Sequence, residues 1–214
     1  MANSQLTLYN DALIHCGERA LANLSEERKP RRLLDQVWAS GGVKACLEEA
    51  DWNFAMRTIQ IDYDPTVEPS FGYNRAFIKP SDWVRSAAIC QDEFFNNPLI
   101  QYEDETGYWY SDLDTIYVRY VSNDTNYGAD ITSWPQSFYD FAAAHFASKV
   151  VLGVTGSKEK LKEVMAIRKD ALKGAKAKSA LTGPPRFPAQ GGWSKARQGR
   201  DRGDRGNNSG NLVG

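Results

Sequence analysis

The residues that could do chemistry are few and scattered. Two histidines, His15 and His145, each fall on an apolar stripe of a helical segment, with no second ligand three or four residues away. That is the pattern of a core histidine rather than of a metal ligand or general base. The carboxylates Asp62, Asp64, Asp104, Asp112 and Asp114 could supply a glycosidase pair or a calcium loop. However, Asp112-Leu113-Asp114 lacks the D-x-D-x-D-G spacing of such a loop, and acidic residues at hairpin turns are common. There is no G-x-S-x-G, no local cysteine signature, no G-x-G-x-x-G and no P-loop, so nucleophilic catalysis and nucleotide binding have no support. The expectation is a protein with no catalytic, cofactor-binding or metal-ligating residues.

What stands out is collective. From Thr182 onward the chain has eight glycines, three prolines and almost no aliphatic residue before Leu212, a composition that cannot build a core. Within it Arg186, Phe187, Trp193, Lys195, Arg197, Arg200, Arg202 and Arg205 combine a run of cations with two large aromatics upstream. Such a segment binds phosphates by charge and stacking, or pairs with carboxylates on another protein while its aromatics anchor in pockets. Asp201 and Asp204 weaken phosphate affinity, which favours protein contact. Residues 183–214 are therefore expected to form an extended basic arm held by a partner surface.

The charge agrees with that division. The net charge is −1, yet residues 1–156 hold 12 Lys and Arg against 22 Asp and Glu, while residues 157–214 hold 14 against 5. An acidic body with a basic C-terminal part marks the latter as the segment that meets an acidic partner. Three widely spaced cysteines, Cys16, Cys46 and Cys90, suggest neither a disulfide framework nor a zinc site, which fits a reducing compartment. No apolar run reaches the ~18 residues of a membrane span, and MANSQLTLYN lacks the build of a signal peptide. A soluble protein made in the cytosol is expected.

The elements that position these residues turn on Ala45 to Tyr63. Val43, Cys46, Leu47 and Ala50 recur at helical spacing, whereas Ile59, Ile61 and Tyr63 alternate with Thr58, Gln60 and Asp62 as in a strand. Trp52, Asn53 and Phe54 lie between and are expected to plug the joint, with Trp83 as a further joint residue. Helices are predicted over 4–16, 26–50, 135–152 and 157–181, with Ser25 and Ser157 as N-caps. Pro30 is early enough to be tolerated. Gly41-Gly42 costs ~1 kcal/mol per glycine inside a helix, so it signals a kink or a close approach. Leu161, Val164, Met165, Arg168, Leu172 and Ala175 form the expected stripe of the last helix.

Residues 56–130 read as four or five short antiparallel strands, including a hairpin of Leu99–Glu103 with Tyr108–Ser111. The fold class predicted is α+β: an antiparallel bundle of about four helices carrying a small antiparallel β-sheet insertion, with an extended C-terminal arm. Residues 1–182 would be the core and 183–214 the arm.

Five stretches in this order are similar to the tail tubular protein A family, the head-to-tail adaptors of tailed bacteriophages. They are RRLLDQVWASGGVKACLEEADWNFA, TIQIDYDP, KPSDWVR, YEDETGYWYSDLDTIYVRYVSND and WPQSFYDFAAAHFASKVV, spanning residues 31–151 within a matched region of roughly 5–152. The resemblance implies a helical bundle with a β-rich insertion. It also implies a non-enzymatic, dodecameric ring of copies beneath the portal protein, at the head-tail junction of the virion. Viral dsDNA would pass through that ring without sequence-specific binding, and the tail nozzle or tube protein would assemble onto it. No membrane partner is implied. The arm, with the eight residues named above, would run along the portal. Two other readings stay open: a nucleic-acid-binding module acting through the arm, and a tail-associated cell-wall hydrolase using Asp62, Asp104 and Asp112.

Overall fold

A computed structural model describes residues 3–69 and 72–182. The first helix, α1 (Gln5–Cys16), begins at a reciprocal cap: Ser4 Oγ accepts from the Thr7 amide, and Thr7 Oγ1 accepts from the Ser4 amide. Its apolar stripe buries Leu8, Tyr9, Ala12, Leu13 and Cys16.

The second predicted helix is two. α2 (Lys29–Ala39) and α3 (Gly42–Leu47) meet at Gly41, whose φ of 88° lies in the left-handed region that glycine alone visits cheaply. Gly42 then comes so close to its surroundings that a Cβ would sit 2.8 Å from Val37 O and 2.9 Å from Phe146 Cζ. The glycine pair thus serves as both kink and close approach. Ser25 does not cap α2. Its hydroxyl donates to Asn23 Oδ1, and the helix begins without a side-chain cap at Arg28, with Pro30 in its first turn.

A single 3-10 turn, Asn53–Ala55, leads into six strands. These are β1 (Met56–Asp62), β2 (Arg75–Ile78), β3 (Trp83–Cys90), β4 (Glu103–Asp104), β5 (Tyr108–Ser111) and β6 (Thr115–Ser122). They form two antiparallel sheets, ordered β1-β6-β3 and β2-β5-β4, where a single small sheet is predicted. The hairpin across Gly107 exists but is shorter than predicted, because only Glu103 and Asp104 pair with β5. Leu99 turns instead to β3, donating from its amide to Ile89 O at 2.9 Å.

Register explains the alternation in β1. Ile59 lies opposite Val118 and Ile61 opposite Ile116, while Thr58, Gln60 and Asp62 are exposed. Phe77, Ile89, Leu99, Trp109, Ile116, Val118 and Tyr120 form a β core of their own. Val84 and Val121, at the near ends of β3 and β6, belong to the helical core.

α4 (Gln136–Thr155) is apolar on most sides and runs through the middle of that helical core, against α1, α2, α3 and α5 (Lys158–Thr182). It continues three residues past the predicted end, so the link to α5 is Gly156-Ser157, and Ser157 Oγ accepts from the Lys160 amide as expected of a cap. Met165, expected on the α5 stripe, is exposed; the stripe runs through Ala171 instead. The fold class is α+β, with five helices among the described residues. No helix described is long and apolar enough to cross a membrane.

Between β6 and α4 the chain makes a tight return at Gly128, whose carbonyl accepts from Trp134 Nε1 at 2.9 Å. A Cβ at Gly128 would lie 2.3 Å from Ser122 O and 2.8 Å from Leu47 Cδ1. Backbone cannot yield as a flexible side chain does, so Gly128→Ala should destabilise by about 2 kcal/mol through overpacking. In a chain of this size that is roughly 4–8 °C in Tm. An unchanged thermal midpoint would show that the return can open.

Candidate functional site

Of the four joint residues, three come together. Trp52 is buried, its indole N–H donating to Cys46 O at 3.1 Å, and its ring meets Phe138 edge-on at 4.8 Å. Phe54 packs on the same ring at 4.7 Å. Asn53 reaches the last turns of α5, donating from Nδ2 to Ser179 O at 2.6 Å. Trp52, Phe54, Phe138 and Ala175 line an open, largely apolar groove of about 280 Å³ here. Trp83 lies elsewhere, in the β core, edge-on to Trp109. The eight arm residues, Arg186, Phe187, Trp193, Lys195, Arg197, Arg200, Arg202 and Arg205, lie outside the described residues.

The K-P-S-D-W-V-R stretch has a structural task at nearly every position. Lys79 Nζ sits over the rings of Trp83 (4.2 Å) and Trp109 (5.3 Å) and pairs with Asp104, whose other oxygen accepts from Trp109 Nε1. The Asp82 carboxylate accepts from Arg57 at 3.0 Å, from Tyr120 OH at 3.1 Å and from Ser122 Oγ. It therefore fastens the turn before β3 to both β1 and β6. Burial alone would raise the Asp82 pKa; the hydrogen bonds from Ser122, Arg57 and Tyr120 outweigh it and hold the carboxyl below its usual range. Arg85 reaches from β3 to the end of α3, donating to Glu48 O and pairing with Asp51 at 3.1 Å.

The other candidate carboxylates also hold local structure. Asp62 accepts from Thr115, Asp64 from Thr66, Asp112 from Asn74 and Asp114 from Arg75. His15 is half-buried on α1. His145 is 4% exposed on α4. Its Nδ1 accepts from Arg168 Nε at 3.1 Å, and Arg168 donates onward to Glu49 at 2.6 Å. α4, α5 and the turn after α3 are thus joined through one guanidinium, and Nε2 of His145 has no hydrogen-bond partner among the described residues. Sequence reading treated Arg168 as a member of an apolar stripe. Its position facing the core was the available sign that a buried partner must exist.

Strongly shifted groups lie in cores, not in a cleft. Burial raises the pKa of Tyr9, Cys46 and Tyr120, and pushes Cys16 up to about 11 and Tyr139 to about 12. Among the described residues no group of three or more His, Cys, Asp or Glu is placed to hold a metal ion. No protein-family model matches the chain, and no curated protein matches it.

His145 gives the helical core a pH response. Burial, then the charges of Arg168 and Lys149, lower its pKa from 6.5 to about 4. The unfolded chain therefore binds a proton in a range where the folded chain does not, and stability falls as pH drops below about 6.5. Linkage puts the loss between pH 7.5 and pH 5 at about 2 kcal/mol, before most carboxylates titrate. In denaturant titrations across that range, His145→Gln should lower stability overall and flatten its slope with pH. An equally steep slope in the variant would assign the response to another group.

Proposed function

We propose that this protein is a structural head-to-tail adaptor of a tailed-bacteriophage virion. It forms a dodecameric ring that docks on the portal protein, continues the channel for viral dsDNA and supports the tail nozzle or tube protein. The observation that carries this reading is that the stretches resembling tail tubular protein A coincide with the joints of the fold. W-N-F-A forms the turn from the helices into the insertion. K-P-S-D-W-V-R holds the insertion together and ties it back to α3. W-P ends the return from the insertion at the start of α4. These are the places where a ring subunit must fix the angle between its helical and β-rich parts, and they are occupied by aromatics and ion pairs rather than by reactive groups.

The arm, residues 183–214, is the proposed portal-binding segment, through the cations and aromatics from Arg186 to Arg205. The test is co-sedimentation with purified portal rings. Full-length protein should pellet with the rings, whereas a chain ending at Thr182 should keep its far-UV spectrum and stay in the supernatant. Binding by the truncated chain would remove the role given to the arm. Absence of binding by the full-length chain would overturn the adaptor reading, and salt-sensitive binding to duplex DNA in its place would favour a nucleic-acid module.

A further inference from the structure

The outer surface of α5 is divided by charge. Lys158, Lys162, Lys169 and Lys173 recur at spacings of four, seven and four residues, which puts them on one flank over about 22 Å of helix. All four are exposed, and none makes an ion pair among the described residues. Met165, exposed at 54%, interrupts the row as an apolar residue on the same flank. The acidic residues of the helix, Glu159, Glu163 and Asp170, lie on the neighbouring flank. In all, α5 holds eight basic residues against three acidic. This flank is the unpartnered face of a long helix whose opposite side is committed to the core.

The matching surface is on the same chain. Residues 56–130 hold five basic against thirteen acidic residues. Of those thirteen, only Asp82, Asp104 and Asp114 make ion pairs among the described residues. Glu68, Glu103 and Glu105 border a common groove together with Tyr73 and Tyr110, where a lysine would meet carboxylates and aromatic faces at once. Within one molecule the α5 lysines leave these carboxylates unpaired.

We propose that the lysine flank of α5 docks against the acidic β insertion of a second copy of this chain. The two patches differ, so the contact is heterologous and propagates from copy to copy, which is the kind of contact that closes rings. The inference rests on the ring reading above and supplies its contact between copies. Duplex DNA is the weaker occupant. Residues 1–182 hold 20 basic against 25 acidic residues, and the flank carries no arginine and no stacking aromatic.

A charge swap in the full-length protein tests this by sedimentation velocity. Wild type should associate at about 0.01 M salt and dissociate at about 1 M, as the Debye length shrinks from about 30 to about 3 Å. Lys162→Glu/Lys169→Glu/Lys173→Glu should weaken association at least tenfold, and so should Glu68→Lys/Glu103→Lys/Glu105→Lys. All six sites are exposed, so unchanged Tm is the control for folding. Mixing the two triple variants should restore association, because every contact is again between opposite charges. The proposal is overturned if wild type stays monomeric at low salt, if either variant associates like wild type, or if the mixture does not reassociate. Loss of portal binding with the charge swap intact would count against the adaptor reading alone. A failed charge swap with portal binding intact would count against this contact alone.

Discussion

Both connections of the β insertion close on one ring. Phe138, in the first turn of α4, is met by Trp52 at 4.8 Å and Phe54 at 4.7 Å on the way into the insertion, and by Trp134 at 4.9 Å on the way out. An inserted domain needs its two chain crossings brought together, and here the antiparallel β1–β6 ladder, which sets Met56 opposite Val121, does so together with this aromatic packing. Each such pair adds about 0.5–1.5 kcal/mol beyond the area it buries. The geometry of the insertion relative to α4 follows from how these rings fit. Arg85, reaching Asp51 and Glu48, adds a polar tie on the same boundary.

Much of the architecture was legible because it is local. The helical spacing of Leu8 to Cys16, the alternation in Met56–Asp62 and the apolar girth of Gln136–Thr155 are all written within a few turns of chain. The break at Gly41 was signalled by composition, but the close approach of Gly42 to Phe146 depends on a residue far along the chain. Separation along the chain also hid the Asp82 clamp, since Pro-x-Asp-Trp reads as a turn whether or not Arg57, Tyr120 and Ser122 converge on it. Two sheets rather than one could not be foreseen either, because strand order depends on pairings between distant segments.

The candidate site was legible in a different way. The carboxylates singled out in the sequence proved to be tied to structural partners, Asp64 to nearby Thr66 and Asp62, Asp104, Asp112 and Asp114 to residues of other segments. His145 proved to be a core histidine, as the absence of a nearby second ligand suggested. Its link through Arg168 to Glu49 was not readable, because a guanidinium on a helix stripe gives no indication of which buried acceptor it will find. Arg168 is half-buried, so its charge keeps part of its hydration while its hydrogen bonds to His145 and Glu49 fix how α5 packs on α4.

β3 and β6 each contribute side chains to two hydrophobic cores. On β6, Tyr120 packs with the sheets while the next residue, Val121, packs with the helices; on β3, Ile89 and Val84 divide in the same way. Neighbouring residues of a strand point to opposite faces, so one backbone passes between two interiors. The helical half and the β half then share their most buried hydrogen-bonded ladder, and loosening either side strips contacts from the other. A perturbation applied to the sheets therefore removes packing from the helices as well.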